Sequence, residues 1–548
     1  MRRARRIWAT GVELAGTRRG AIALVVLALV VYAIESIGWP LAPGRDLGAY
    51  ILYYAGMWDW DAVYPWAMLT RTPVGSLVVG GMLDLGNALL VEIVAALMFA
   101  GSILTWAVAA RTFGRAPALV VGLGLVFYPG YGIVFHDWTI DAPMAALFAA
   151  WTLLLLRTCL RPTWFRLALV GAGIALLVLT RPVNQVLLIA ALVPLLLRAP
   201  WPLRLARTIV TAGVVLALVA GWSVLNLVRY DDLTVARGGG ASLPLFRAFV
   251  TDRIVEPENG PASRRLAAAV SSQLLPMEPY RSYGIDLDEF FASGSARIHE
   301  DLIGLSDREW GWDSDYAVLA DVGREAVRAH PATFARGVAA SYWEVLSQPL
   351  FAGREAVADT APAPSQDAAL TTVESQPPAA AEPSAPVAAK APLPVPSEGE
   401  PIPSEYQNAQ NSTPDGRIRD VWTSPTEHHV VFRDSEDATR AGAIERKLNE
   451  LVGVFGDRPW SPWVGLQLDR SSKVYPPPWL LVLVGGLALV VRRPARAALL
   501  ALPAVLALLV LFVTVLAVYG VPYYTVPLAP AFLLLAAGAV LGERSASR

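Results

Sequence analysis

The chain has 548 residues, of which 55% are apolar and only 17% are Asp, Glu, Lys or Arg, against about 25% charged in an ordinary soluble domain. A net charge of −1 supplies no basic field of the kind nucleic-acid binders carry, and the single cysteine, Cys159, excludes an internal disulfide framework. The apolar residues come in blocks rather than amphipathic stripes, which is the composition of an integral membrane protein.

Arg2, Arg3, Arg5 and Arg6 precede the first apolar run, 20–38, and no small-residue cleavage site follows it, so it reads as a retained signal anchor. Further runs lie at 87–110, 116–135, 138–156, 166–180, 182–197, 208–228, 479–491, 497–519 and 523–541. A helix needs about 20 such residues to cross the hydrocarbon, and the runs at 166–180, 182–197 and 479–491 fall short, so each either re-enters the membrane or extends into its flanks. The expected fold class is an all-α polytopic membrane protein with about ten transmembrane helices.

Arginines orient those spans. Short segments placed inside carry Arg18, Arg19, Arg111, Arg115, Arg157, Arg161, Arg166, Arg198, Arg204, Arg207, Arg492, Arg493 and Arg496, whereas short segments placed outside carry Arg45, Arg71 and Arg181. The positive-inside rule then puts both termini in the cytoplasm with an even number of spans, and the abundance of Ala and Arg over Lys suits a bacterial plasma membrane.

Two segments interrupt the short loops. The first, 39–86, is rich in Trp, Tyr and carboxylates, and is expected to lie along the membrane surface as short amphipathic helices. It completes an N-terminal transmembrane module, 1–228. The second, 229–478, has a soluble composition and is expected to be a mostly α domain inserted on the extracytoplasmic side. It divides into 229–355, a Pro/Ala-rich linker at 356–404 too poor in apolar residues to fold, and 405–478. Helical patterning marks 285–303, 313–329 and 436–455, and the apolar stretch 333–350, broken by Arg336 and Glu344, reads as a surface helix against the bilayer. The C-terminal helices occupy 479–548.

Charges near the membrane collect at external helix ends: Glu35, Asp46, Asp59, Asp61, Arg71, His136, Asp137, Asp141 and Arg181. Such groups are costly and tend to be functional. Asp46 in "GRDLGAY" is either a partly desolvated general base or a helix-capping aspartate. Asp59 and Asp61, in D-W-D, either share a divalent cation or line a polar helix face. Arg71 runs against the positive-inside trend, which a phosphate partner or lipid headgroups would explain; Arg181 faces the same two choices. His136, Asp137 and Asp141 in "FHDWTIDAP" either contact an acceptor or metal or cap helices. The pair His428–His429 has no matching second ligand pair and reads as exposed. No Walker loop, dinucleotide fingerprint or nucleophile elbow occurs.

With these residues in order, 15–230 resembles the GT-C glycosyltransferases that use polyprenyl-phosphate sugars, among them protein O-mannosyltransferases and lipid A aminoarabinose transferases. The carrying stretches are "GRDLGAYILYYAGMW", "LTRTPVGSLVVGGMLDL", "HDWTIDAPMAALFAAWTLLLL" and "VLTRPVNQVLL". The resemblance implies a catalytic aspartate at Asp46, a donor phosphate held by Arg71 and Arg181, and an inverting transfer to a hydroxyl of the cell envelope. A divalent metal at Asp59 and Asp61 is an optional part of that expectation, and no other cofactor is implied. Two departures stand out: Arg45 precedes Asp46 where many members pair two acids, and Arg71-Thr72-Pro73 matches the family's basic-Pro-Pro run only in part. The rival readings are a flippase of lipid-linked sugars and a membrane-anchored scaffold whose 229–478 domain binds cell-envelope polymer.

Overall fold

The computed structural model describes residues 2–44, 47–59, 71–238, 245–277, 280–293, 296–314, 316–348, 407–408, 416–422, 428–454, 461–494, 496–517 and 524–543. The expected linker, 356–404, lies outside them, as do Asp46 and Asp61.

Helix α1 (Arg2–Ala15) leads into α2 (Arg18–Gly38). Thr17 ends one and caps the other: its hydroxyl donates to Leu14 C=O (2.8 Å) and accepts from Gly20 N–H (3.0 Å). Helices α3 (Leu47–Gly56), α4 (Pro73–Asp84), α5 (Ala88–Ala110), α6 (Arg115–Val126), α7 (Pro129–His136), α8 (Asp141–Leu160), α9 (Trp164–Val178) and α10 (Trp201–Tyr230) follow, with a 3₁₀ helix at Pro182–Leu196. Six helices are long and apolar enough to cross a membrane, or seven if α6 and α7 are one broken span. The expected runs at 166–180, 182–197 and 523–541 appear as the shorter apolar helices Trp164–Val178, Pro182–Leu196 and Val526–Leu541. Apolar side chains such as Leu196 (80% exposed) and Val491 (79%) stand on the outer faces. Water would not tolerate a belt of that kind, but lipid does.

Three expectations need revision. The run 116–135 is bent by 57° where α6 meets α7, because Pro129 has no N–H to donate and forces Tyr128 out of helical geometry. In the first loop, α3 and α4 are not amphipathic helices on the surface. Tyr50, Ile51 and Tyr53 of α3 are buried, and Gly80 of α4 lies so close to the Tyr54 ring that a Cβ would sit 2.1 Å from it. The insertion also holds an antiparallel sheet among its helices. Strands β3 (Gln407–Asn408), β4 (Ile418–Trp422) and β5 (His428–Phe432) run in that order, with Ile418 opposite Phe432.

The insertion's helices otherwise fall near their expected places, at Leu287–Ser293, Ala296–Trp310, Ala317–Ala329, Pro331–Ser347 and Ser435–Val454. Pro331–Ser347 lies against Ala497–Ala517 through Val338, Val345 and Val515, and Tyr342 O–H donates to Leu508 C=O (3.2 Å). The helix Ser461–Lys473, expected within the soluble insertion, packs on the bundle instead. A Cβ on Gly38 would lie 2.5 Å from Gly465 N, and the Tyr475 ring stacks on Tyr128 at 3.8 Å.

Arg247 ties the insertion to the bundle. It is fully buried, forks onto Asp252 (Nε and Nη2, both 3.0 Å) and donates to Val515 C=O (2.6 Å). Truncating one partner of such a pair strands the other charge, at a cost of about 3–5 kcal/mol, whereas replacing both by apolar groups is often neutral. Arg247→Gln is therefore expected to lower the apparent Tm in detergent by several degrees. The pair Arg247→Met with Asp252→Leu should recover part of the loss, and a single variant as stable as the double would count against the clamp.

Candidate functional site

Three segments expected to lie outside the membrane meet at one end of the bundle. Strands β1 (Ala42–Pro43) and β2 (Asp137–Trp138) pair in parallel, Ala42 opposite Asp137 and Pro43 opposite Trp138, and Gly44 N–H donates to Trp138 C=O (3.0 Å). Gly44 permits this approach, because a Cβ there would lie 2.9 Å from the Thr139 Cβ. The start of α4 joins the same rim: Val74 N–H donates to Leu179 C=O (2.9 Å), and a Cβ on Gly75 would lie 2.6 Å from Ile140 Cγ2. Residues 42–44, 71–75, 137–141 and 179–181 are thereby one structure, although up to 139 positions separate them.

Its charges are compensated locally. The Asp141 carboxylate, 1% exposed, pairs with Arg181 at 2.8 Å, and the Arg181 guanidinium lies 5.0 Å from the centroid of the Tyr524 ring. Arg71 lies 5.1 Å from the Tyr50 ring centroid. Against α2, Glu35 and His136 are buried together, Oε2 to Nε2 3.6 Å, with Tyr32 stacked on the imidazole at 4.1 Å. His136 is thus packed beneath the rim, Asp137 is half-buried on β2, and Asp141 begins α8 while holding Arg181. Asp46 and Asp61 lie outside the described residues; Gly44 and Leu47, on either side of Arg45-Asp46, are both buried.

Asp59 is committed elsewhere. Its carboxylate accepts from Arg417 Nη2 (2.7 Å), and the same guanidinium grips Asp437 at 2.5 and 2.9 Å. The Asp59 carbonyl accepts from Arg229 (2.7 Å), which also holds Met57 C=O (2.9 Å). Asp437 first, then Asp59 against the cost of burial, raises the Arg417 pKa, so its charge is permanent. The Tyr53 phenol is likewise pushed up, by burial first and then by Tyr230. Among the described residues, no three His, Cys, Asp or Glu side chains gather as a metal site. Arg417 had no signal in the sequence, since nothing local marks a contact across 358 positions. Tyr524 was missed for the same reason.

Residues 70–225 match the model of a family described as dolichyl-phosphate-mannose-protein mannosyltransferase. The GT-C likeness holds over that segment. It includes Arg71, Asp137, Asp141 and Arg181 and begins after Asp46. Two crystal structures of ArnT from Cupriavidus metallidurans, apo and bound to undecaprenyl phosphate, align at 15% identity over 94% of this chain. They are covered to 77% and 78%, with TM-scores of 0.32 and 0.33. At those scores the superpositions are too loose for any feature to be carried across. No curated protein matches the sequence.

Arg417→Gln should free the first loop from the insertion. Hydrogen exchange at residues 47–59 is expected to quicken roughly tenfold, equivalent to about 1.4 kcal/mol for a partly exposed pair. If exchange were unchanged while Asp59→Asn abolished binding of a divalent cation, Asp59 would be a metal ligand and not an anchor for Arg417.

Proposed function

We propose that the chain is an inverting glycosyltransferase that moves a sugar from a polyprenyl-phosphate donor to a hydroxyl of a cell-envelope acceptor on the extracytoplasmic face. The supporting observation is the convergence of Arg71, Asp141 and Arg181 on the rim that β1 enters immediately before Asp46. The family match over 70–225 supports the donor class. The arginine asymmetry supports the face. Segments assigned inside meet one another, with Arg496 donating to Thr112 C=O and Glu543 N–H to Phe113 C=O, while the segments assigned outside build the rim.

In this reading Asp46 takes the proton of the acceptor hydroxyl. The oxygen attacks the anomeric carbon from the side opposite the phosphate, the carbon–oxygen bond to the phosphate breaks, and polyprenyl phosphate leaves with its negative charge. Fixed cations contribute most where that charge develops. Arg181, held by Asp141 and lying against the Tyr524 ring, and Arg71, beside the Tyr50 ring, bind and orient the phosphate together. Asp137, half-buried on β2, is assigned here to the acceptor, and His136 is packed beneath the same rim.

Transfer of radiolabelled sugar from a polyprenyl-phosphate donor in detergent tests this, because a flippase transfers nothing. Asp46→Asn should lose about 10²–10⁴-fold in turnover with folding intact, as expected for removal of a general base. Arg71→Gln should lose about 10²-fold, with weakened donor binding. An active Asp46→Asn enzyme would remove the assignment.

A further inference from the structure

At the opposite end of the bundle, α1, α2, α5 and α6 line a half-open cavity of about 170 Å³. Its walls are apolar, with Leu14, Leu24, Leu104, Leu119 and Leu123, and the exposed Arg111 closes its end. The other flank of α2 is an open apolar face, formed by Ile22, Val26 and Val30 of that helix alone, with the exposed Arg19 at its head. Ala23 and Leu27 line both. One ridge of α2 therefore separates the cavity from this open face, two apolar channels for a chain lying in lipid, and each begins at an arginine.

The surroundings are basic. Arg18, Arg19, Arg111, Arg115 and Arg496 gather there against Glu13 and Glu543. Arg115 lies across the α1–α2 turn, so close to Gly16 that a Cβ there would meet its Nε at 2.7 Å. α1 packs on α6 at Gly11, whose Cβ would meet Leu119 at 3.2 Å, so the cavity wall is fixed.

We infer that this end of the bundle is a binding site for one anionic diacyl phospholipid, with an acyl chain in each channel astride Ala23 and Leu27 and the phosphate among Arg19, Arg111 and their basic neighbours. An apolar cavity of this kind stays dry and takes an apolar occupant. Basic pockets between transmembrane helices select anionic headgroups. A free phosphate would have no use for the channels, and a single polyprenyl tail would fill one of the two. The site is separate from the rim that carries the proposed transfer, so it stands or falls independently of that reading.

Native mass spectrometry of the full chain in detergent, with dioleoyl phosphatidylglycerol and dioleoyl phosphatidylcholine as probes, tests the site. The wild type should retain the glycerol lipid at about fivefold lower concentration than the choline lipid. Arg19→Gln with Arg111→Gln should erase that preference and leave phosphatidylcholine binding unchanged. Ala23→Trp, at an exposed position, should weaken both lipids about tenfold without lowering the apparent Tm, because it blocks both channels. Equal retention of the two lipids by the wild type, or a preference that survives the double variant, overturns the inference. So does displacement of phosphatidylglycerol by equimolar polyprenyl phosphate, which would assign the channels to the donor tail.

Discussion

The ion pair of Asp141 with Arg181 holds the external rim together. Asp141 is the first residue of α8 and Arg181 follows α9, so their 2.8 Å contact joins the start of one helix to the end of another where protein gives way to lipid and water. Neither charge would be tolerated alone at 1% and 16% exposure, because burial strips each of its hydration and only the partner replaces it. The geometry spreads from there. Fixing Thr180 and Ile140 fixes the surface on which Gly75 sits, and hence the start of α4 and the position of Arg71 beside Tyr50.

Among the contacts that fasten the insertion to this framework, two use one device, a guanidinium divided among several acceptors. Arg417 joins the sheet and the helix Ser435–Val454 to the first loop through Asp59 and Asp437, and the apolar contacts of Ala55 with Ile418 and Ala441 run alongside. Arg247 joins the earlier part of the insertion to the end of Ala497–Ala517. Each arginine satisfies several acceptors at once, which one lysine could not do with the same planar fork. The first loop is thus gripped from above by a domain that enters the sequence more than 150 residues later, and residues 47–59 have little freedom to move independently of it.

The long helices were legible because lipid imposes a length and a composition that nothing else in the sequence imitates: 20–38, 87–110, 138–156 and 497–519 correspond to helices within a few residues, and 208–228 lies inside the longer Trp201–Tyr230. The amphipathic helix at 436–455 was legible for a related reason, its apolar residues recurring at helical spacing. What could not be read depended on tertiary partners. Aromatic residues in 39–86 suggested the headgroup region, yet Tyr50 and Tyr53 are buried because α4 and α10 supply protein surface where lipid was expected. The two-residue strands β1 and β2 are too short to leave any periodicity, although they join the first loop to the second. The rim residues Arg71, Asp137, Asp141 and Arg181 were identifiable as charges in the wrong place for a span, but their pairing was not, since a capping aspartate and an ion-pairing aspartate look alike in sequence.

The two ends of the molecule hold cations in different ways, and this bears on what each can recognise. At the rim, Arg181 is paired with the buried Asp141 carboxylate, so its field extends little beyond contact distance. A phosphate there would be distinguished by fit against a rigid guanidinium and its neighbours rather than by attraction from afar. At the other end arginines outnumber acids, the field reaches outward over roughly a Debye length, and any anionic headgroup in the adjacent leaflet would feel it. Pairing lowers attraction and raises geometric selectivity, and leaving charge in excess does the opposite. On the proposed function, a chain that must choose one phosphate substrate from a surface crowded with phospholipid phosphates has reason to keep its excess charge away from the selective site.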